Sequence, residues 1–514
     1  MRRFSLVSFL GLVLVGHQTI PVGNRAPLAP STLLTNVSLL DGTGSSARRA
    51  SVRITGDRIA DVGALTPRAD DQVVDGGGLT LAPGFIDTHS HADRSLMRGS
   101  DALGALSQGI TTVVVGEDGS SPYPLGPHFD SLARAGAPIN VAAYVGHGTI
   151  RGRVMGTDYK RHATPAEIAQ MKTLLADELR AGALGLSSGL EYDPGIYSAR
   201  EEVVELAKVA AAAHGRYISH IRSEDRAEWE AFDEIINIGR QAHLPVQISH
   251  AKLAMKSLWG QADSLIRLLD RARASGVDIT ADIYPYRYWQ SGLSVLFPER
   301  NFDDRKAAQF ALDEVAPPDG ITLTNYGPHP EYSGKTLTQI AALTGADPVT
   351  TLMKLVKDAE EAHKAKKPSS ETIIAASMDE RDIERIMAWP FANICTDGEL
   401  DGRHPRGYGS FTRVLGRYVR ERHVTSVPEM IRKMTSLAAA NVGIRERGRL
   451  VPGGYADLVL FNENTVIDNA TPADPHAVST GIAKVWVNGV LAYENGRVTP
   501  ARAGQVVRRP LTSP

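Results

Sequence analysis

Two histidines one residue apart end the string Gly84-Phe85-Ile86-Asp87-Thr88-His89-Ser90-His91. The apolar run from Leu79 to Ile86 reads as a buried strand, and strand side chains alternate. His89 and His91 therefore project to one side just beyond its end. Two neutral imidazoles so placed can share one cation. A His-x-His that merely caps a strand looks the same, so the weight falls on its company. Asp118 follows the run Thr111 to Val115 and Gly116, His220 follows Tyr217 to Ser219, His250 follows Gln247 to Ser249, and Asp397 follows Ile394 to Thr396. Any one of these alone is read as a hydrogen-bonded structural residue. Six such residues over five strand ends make a ligand set. A zinc ion brings the pKa of its bound water to about 7 and polarises a carbonyl, so amide hydrolysis then needs one further group to move a proton. Asp397 suits that shuttle, a plain ligand role, or both.

The elements that must position these residues alternate between apolar strand-like runs and helical stretches, which calls for parallel strands joined by crossover helices. The candidate strands are Leu81 to Ile86, Thr111 to Val115, Ile139 to Val145, Leu184 to Ser187, Arg216 to Ser219, Val246 to Ser249, Asp278 to Asp282 and Ala392 to Thr396. They number eight, as a closed TIM-like (β/α)8 barrel of the α/β class requires, and such barrels carry their chemistry at the C-terminal strand ends. Helix signals fit between them. Before Pro165 to Ala181, Thr164 is the expected cap and Glu167 the partner of a capping box.

Short alternating strands flank this region: Leu33 to Leu39, Ala50 to Ile54 and Arg58 to Val62 on one side, Ala456 to Phe461, Ile482 to Val487 and Val490 to Tyr493 on the other. Asn488-Gly489 offers a hairpin turn in the second set. The two chain ends are expected to build one small β-sandwich, giving a leader over 1–30, sandwich parts over 31–80 and 446–514, and a barrel over 81–445. From about 296 to 371 the alternation breaks, with Pro317-Pro318 and a charged run from Lys357 to Lys367. That segment reads as an insertion before the last barrel strand, either a lid or a solvated excursion.

A formal net charge of −2 leaves no basic stripe for nucleic acid. Cys395 is the only cysteine, so neither an intrachain disulfide nor a cysteine-rich metal cluster can form. Arg2 and Arg3 before the apolar run Phe4 to Val15 have the layout of an export signal, pointing to the periplasm or beyond, although no clean cleavage pair precedes Pro21 to Pro30. That run is too short to span a bilayer, and no stable membrane span is expected elsewhere.

The strings Gly84 to Asp93, Gly109 to Gly116, Gly185 to Leu190, Ser219-His220-Ile221-Arg222-Ser223-Glu224, Gln247 to His250 and His404-Pro405-Arg406 resemble, in order, the amidohydrolase superfamily and within it the D-aminoacylases. The resemblance implies a distorted barrel beside a β-sandwich, with one or two zinc ions. His220 and His250 would hold the tighter ion, His89, His91 and Asp397 a second or weaker site, and Asp397 would be the general acid/base. Lys252, Tyr284 and Arg406 would receive a substrate carboxylate, with Tyr192 near the scissile group. The implied substrate is a small N-acyl amino acid of D configuration. A dipeptide with a D residue or unusual linkage, or a cyclic amide, is the alternative. One departure stands out: where D-aminoacylases usually read Asn-Cys-Gly, this chain reads Glu117-Asp118-Gly119, a hard carboxylate for a soft thiolate. Strand alternation leaves Glu117 and Asp118 both open as the ligand, with Asp118 the first choice.

Overall fold

The computed structural model describes residue 1 and residues 31–510. The run read as an export signal lies outside the described residues. Parallel strands form two adjoining sheets. In one, Phe85–Asp87, Ile110–Val115 and Asn140–Ala143 pair in that order; in the other, the order is Val145–Gly146, Gly185–Gly189, Arg216–His220, Val246–Ile248, Ile279–Ile283 and Ala392–Ile394. Both open edges are bridged. The Leu184 N–H donates to the Ala143 carbonyl at 2.8 Å, and at the far side the Asp397 N–H donates to the His89 carbonyl at 2.8 Å, beside a parallel bridge between Ser90 and Gly398. Helices such as Pro165–Arg180, Arg200–Ala212 and Glu228–Ala242 connect successive strands and bury apolar faces against them. The Thr164 cap forms with its capping box, and Asn488-Gly489 makes a two-residue turn between paired Val487 and Val490.

Two of the expected strands come out differently. The run Leu81 to Ile86 is not one strand: Thr80–Pro83 pairs antiparallel with Leu458–Phe461, and only Phe85–Asp87 joins the parallel set. Gly84 is the crossing point, where an added Cβ would meet the Thr111 side chain at 2.3 Å. An apolar run reports burial and not which sheet buries it, so the break was hidden. The run Ile139 to Val145 is likewise interrupted at Tyr144.

The chain ends do combine. Nine strands form one branched sheet in the order Arg497–Val498, Val490–Glu494, Ile482–Val487, Leu458–Phe461, Thr80–Pro83, Ser31–Leu39, Arg48–Thr55 and Arg58–Gly63, with Asp71–Asp75 pairing Ser31–Leu39 in parallel. It has a core of its own around Val52, Ile54, Leu458 and Trp486. The segment read as an insertion is ordered. Tyr288–Gly292, Glu371–Ala376 and Ile321–Tyr326 make a three-stranded antiparallel sheet carrying helices Leu337–Thr344 and Pro348–Lys364. Its first strand starts ahead of the expected boundary because the Tyr-rich run from Tyr284 looks like a continuation of the preceding strand.

Candidate metal centre

All six residues read as ligands meet at the C-terminal strand ends. His89 and His91 follow Phe85–Asp87, Asp118 follows Ile110–Val115, His220 ends Arg216–His220, His250 follows Val246–Ile248, and Asp397 follows Ala392–Ile394. They gather as two overlapping groups, His89, His91, Asp118 and Asp397, and Asp118, His220 and His250, each with ligand atoms within 4.8 Å of one another. His91 Nε2 lies 3.1 Å from Asp397 Oδ1 and 3.4 Å from Asp118 Oδ2. His220 Nδ1 faces His250 Nε2 at 3.0 Å, and His250 Nε2 faces Asp118 Oδ1 at 3.6 Å. Asp118 thus offers one oxygen to each group. Glu117, the alternative, is fully buried beside them, neither of its oxygens has a hydrogen-bond partner, and it belongs to neither group.

Backbone geometry places Asp118 between the two groups. Asp118, His250 and Asp397 have φ values of 51°, 35° and 49°, the left-handed region that costs a non-glycine residue energy. Each turns sharply as it leaves its strand, so strand alternation no longer says where its side chain points. Gly116, at φ +79, precedes the pair, and a Cβ there would meet the Tyr144 carbonyl oxygen at 2.3 Å.

The field at the site is set by burial and by opposed charges. Burial works to raise the Asp397 carboxyl, and Arg406, His89, His91 and His250 outweigh it, holding the group well below the usual carboxylate range. Burial works to lower the His91 imidazole, and its hydrogen bonds to the Asp118 and Asp397 carboxylates reverse this. Burial, with Asp282 and Asp118 adding to it and His89 and His91 opposing, holds the Glu117 carboxyl well above the usual range. Both ring nitrogens of His89 and Oδ1 of Asp118 are buried without a hydrogen-bond partner. Buried polar atoms are nearly always paired, and unpaired imidazole nitrogens converging on carboxylates are the donor set that zinc takes. The residues present fit a divalent cation, which would draw on the same lone pairs.

The expected substrate residues surround this centre. The Tyr284 hydroxyl is buried and unpartnered. Arg406 lies over the Tyr284 ring at 5.0 Å and Lys252 at 5.9 Å, so the three share one place. Neither cation is free: Arg406 Nη1 is 2.5 Å from Asp397 Oδ2, and Lys252 Nζ is 2.5 Å from Glu224 Oε1 and 2.6 Å from His250 Nδ1. Tyr192 Oη is 3.1 Å from His220 Nδ1. A narrow cavity opens beside them, walled by Trp289, Leu296, Phe310 and Val315 and by Glu191, Glu224 and Asp225. A second, wider one lies on the side of His91 and Arg406. Tyr192 and Asp397 border both.

The amidohydrolase family model matches residues 72–392 and 395–493. The chain belongs to the amidohydrolase family. Within it, the chain is 38% identical to an N-acyl-D-glutamate deacylase of Alcaligenes xylosoxydans xylosoxydans over 92% of this chain and 95% of that one. It is 35% identical to a D-aminoacylase of the same organism, over 93% and 97%. The crystal structure of N-acyl-D-glutamate deacylase from Bordetella bronchiseptica, complexed with zinc and a phosphonate mimic of the tetrahedral intermediate, superimposes with a TM-score of 0.83 at 36% identity, covering 93% of this chain and 100% of that one.

Three acidic residues of this amidohydrolase site escaped the sequence reading. Asp282 accepts the His250 N–H at 2.5 Å and a Gln247 side-chain N–H at 2.6 Å. It ends the run Asp278 to Asp282 just as His220 ends its own, so the signal was present. Glu191 and Glu224 sit in loops past their strands and join the site only when those loops fold together.

Proposed function

We propose that this amidohydrolase cleaves the amide bond of N-acyl-D-amino acids with zinc as its cofactor, releasing a carboxylate and the free amino acid. The observation that carries the reading is the position of Asp118, with one oxygen toward each histidine pair, beside a proton-shuttling carboxylate and a cluster of cationic and hydroxyl groups. The identities to the deacylases support it. So does the parallel strand set, which we take to close into a distorted eight-stranded barrel next to a sandwich-like sheet, divided near residues 81 and 445. The apolar run behind Arg2 and Arg3 supports export of the protein.

Zinc at this centre supplies an activated water and a polarised amide carbonyl. The protein does the rest. Lys252, Tyr284 and Arg406 bind the substrate carboxylate, Arg406 as a fork and Tyr284 as a neutral donor. In doing so the carboxylate draws Arg406 from Asp397. Asp397 takes the proton of the attacking water on its carboxylate and returns it to the amide nitrogen as the C–N bond breaks. Tyr192, between the two cavities, donates its hydroxyl to the scissile carbonyl.

The cavity wall sets the side-chain class. Its lining is apolar at Trp289, Leu296, Phe310 and Val315 and acidic at Glu191, Glu224 and Asp225. Lys252 is the one lysine or arginine lining it among the described residues, and Glu224 already pairs with it. A second carboxylate would enter without a partner, which is costly. An uncharged apolar D side chain fits, in contrast with the glutamate of the 38% identical relative. Amine release from N-acetyl-D-leucine, N-acetyl-D-methionine, N-acetyl-D-glutamate, N-acetyl-D-lysine, N-acetyl-L-leucine and a hydantoin tests both points. Release from none of the N-acetyl-D-amino acids defeats the function. Equal or greater kcat/KM for the glutamate or lysine compound defeats the side-chain assignment alone.

A further inference from the structure

His220 is held from two sides. Its Nδ1 faces His250 Nε2 at 3.0 Å, and its Nε2 faces Glu191 Oε2 at 2.8 Å. A neutral imidazole carries a proton on one nitrogen and a lone pair on the other, and an ionised carboxylate only accepts. Glu191 therefore draws the proton to Nε2 and leaves the Nδ1 lone pair, which also has the Tyr192 hydroxyl 3.1 Å away, on the side of Asp118 and His250 where a cation would bind. Glu191 itself is fixed. Its Oε1 accepts the Glu224 N–H at 3.3 Å, and its side chain is only 10% exposed.

The backbone of Glu191 is held by the insertion. Arg300 donates from Nη2 to the Glu191 carbonyl at 2.6 Å and from Nε to Asp193 Oδ1 at 3.2 Å. Its Nη1 is tied to the Phe297 carbonyl at 3.0 Å. One guanidinium thus couples the first turn of the insertion to the loop that carries Glu191. We propose that Glu191 is a positioning residue that sets the tautomer and orientation of His220 for metal binding, and that Arg300 transmits the placement of the insertion to it. The insertion then acts on the metal centre as well as on the cavity wall. The inference rests on the reading of Asp118, His220 and His250 as cation ligands.

Partners that orient a metal-bound histidine are typically worth about 10- to 100-fold in metal affinity. The experiment is chelator competition for zinc on purified holoenzyme of wild type, Glu191→Ala, Glu191→Gln and Arg300→Ala, with zinc content and thermal midpoint measured alongside. Expected is a weakening of the tightest zinc by about 10- to 100-fold in Glu191→Ala, with full zinc content restored at saturating metal. Glu191→Gln keeps most of the affinity because its carbonyl oxygen accepts the same N–H, and Arg300→Ala shifts affinity in the same direction by a smaller factor. Unchanged affinity in Glu191→Ala, even with a lowered thermal midpoint, overturns the proposal and leaves Glu191 structural. Loss of one zinc equivalent in Glu191→Gln as fully as in Glu191→Ala also overturns it, making Glu191 a direct ligand in a group with His220 and Glu224. Absence of bound zinc from wild type defeats the functional reading instead.

Discussion

At the scale of single residues, the site depends on which atoms are left with a free lone pair. Asp397 has one oxygen toward His91 and the other on Arg406. Asp397→Asn keeps the shape and removes the basic oxygen, so turnover is expected to fall by about 10²- to 10⁴-fold. Steady-state kinetics with zinc content held equal checks this; retention of more than roughly a tenth of kcat removes Asp397 from the proton-transfer role. Asp118 and Glu117 make a second contrast. Asp118→Ala is expected to release the tightest zinc on dialysis, because His220 and His250 alone fall short of the roughly three protein ligands a catalytic zinc needs. Glu117→Ala is expected to retain it, since Glu117 belongs to neither group of converging ligand atoms. Zinc analysis giving the opposite pattern would reverse the assignment. A carboxylate ligand also favours harder cations than a thiolate would, so manganese or cobalt is expected to support activity.

At the scale of elements, strands deliver ligands only if their last residues turn correctly. Gly116 carries no ligand atom, yet its left-handed φ of +79 and its closeness to Tyr144 turn the chain so that Asp118 faces inward. Gly116→Ala is expected to lose bound zinc much as Asp118→Ala does, with far-UV circular dichroism near wild type. Zinc retention by a folded Gly116→Ala protein would show that the turn tolerates a side chain. The same logic explains how the sequence could be read so far. Polar residues just past apolar runs marked His89, His91, His220, His250 and Asp397 because strand periodicity is local. It failed to decide between Glu117 and Asp118 because the turn that decides is not periodic. It missed Glu191 and Glu224 because a loop carboxylate gives no local sign of what it will touch.

At the scale of the whole molecule, the parallel strand set and the branched sheet are joined by buried polar groups. Arg447 pairs with Asp457, both nearly fully buried, and Asp457 also accepts from the Asn488 backbone at 2.8 Å and from the Asn140 side chain at 3.1 Å. Asn140 opens a parallel strand and Asn488 lies in the hairpin of the branched sheet. Removing one partner of a buried pair strands a charge and costs about 3–5 kcal/mol, so Arg447→Ala is expected to lower the thermal midpoint measurably while the zinc content of the folded fraction is unchanged. An unaltered midpoint would mean that water or Asn140 compensates Asp457 fully.

By itself the sequence determined that the candidate ligands lie at strand ends, the helix and hairpin boundaries marked by Thr164 and Asn488-Gly489, and the family. Each of these is a property of neighbours in the chain: periodicity, capping and turn chemistry act over a few residues. The tertiary structure alone decided that Leu81 to Ile86 divides between two sheets at Gly84, that Asp118 stands between the two histidine pairs, and that Glu191, tied to Arg300 of the insertion, holds His220. Those outcomes depend on which separate segments share a space, and short-range patterning carries no record of contacts between segments well apart in the chain.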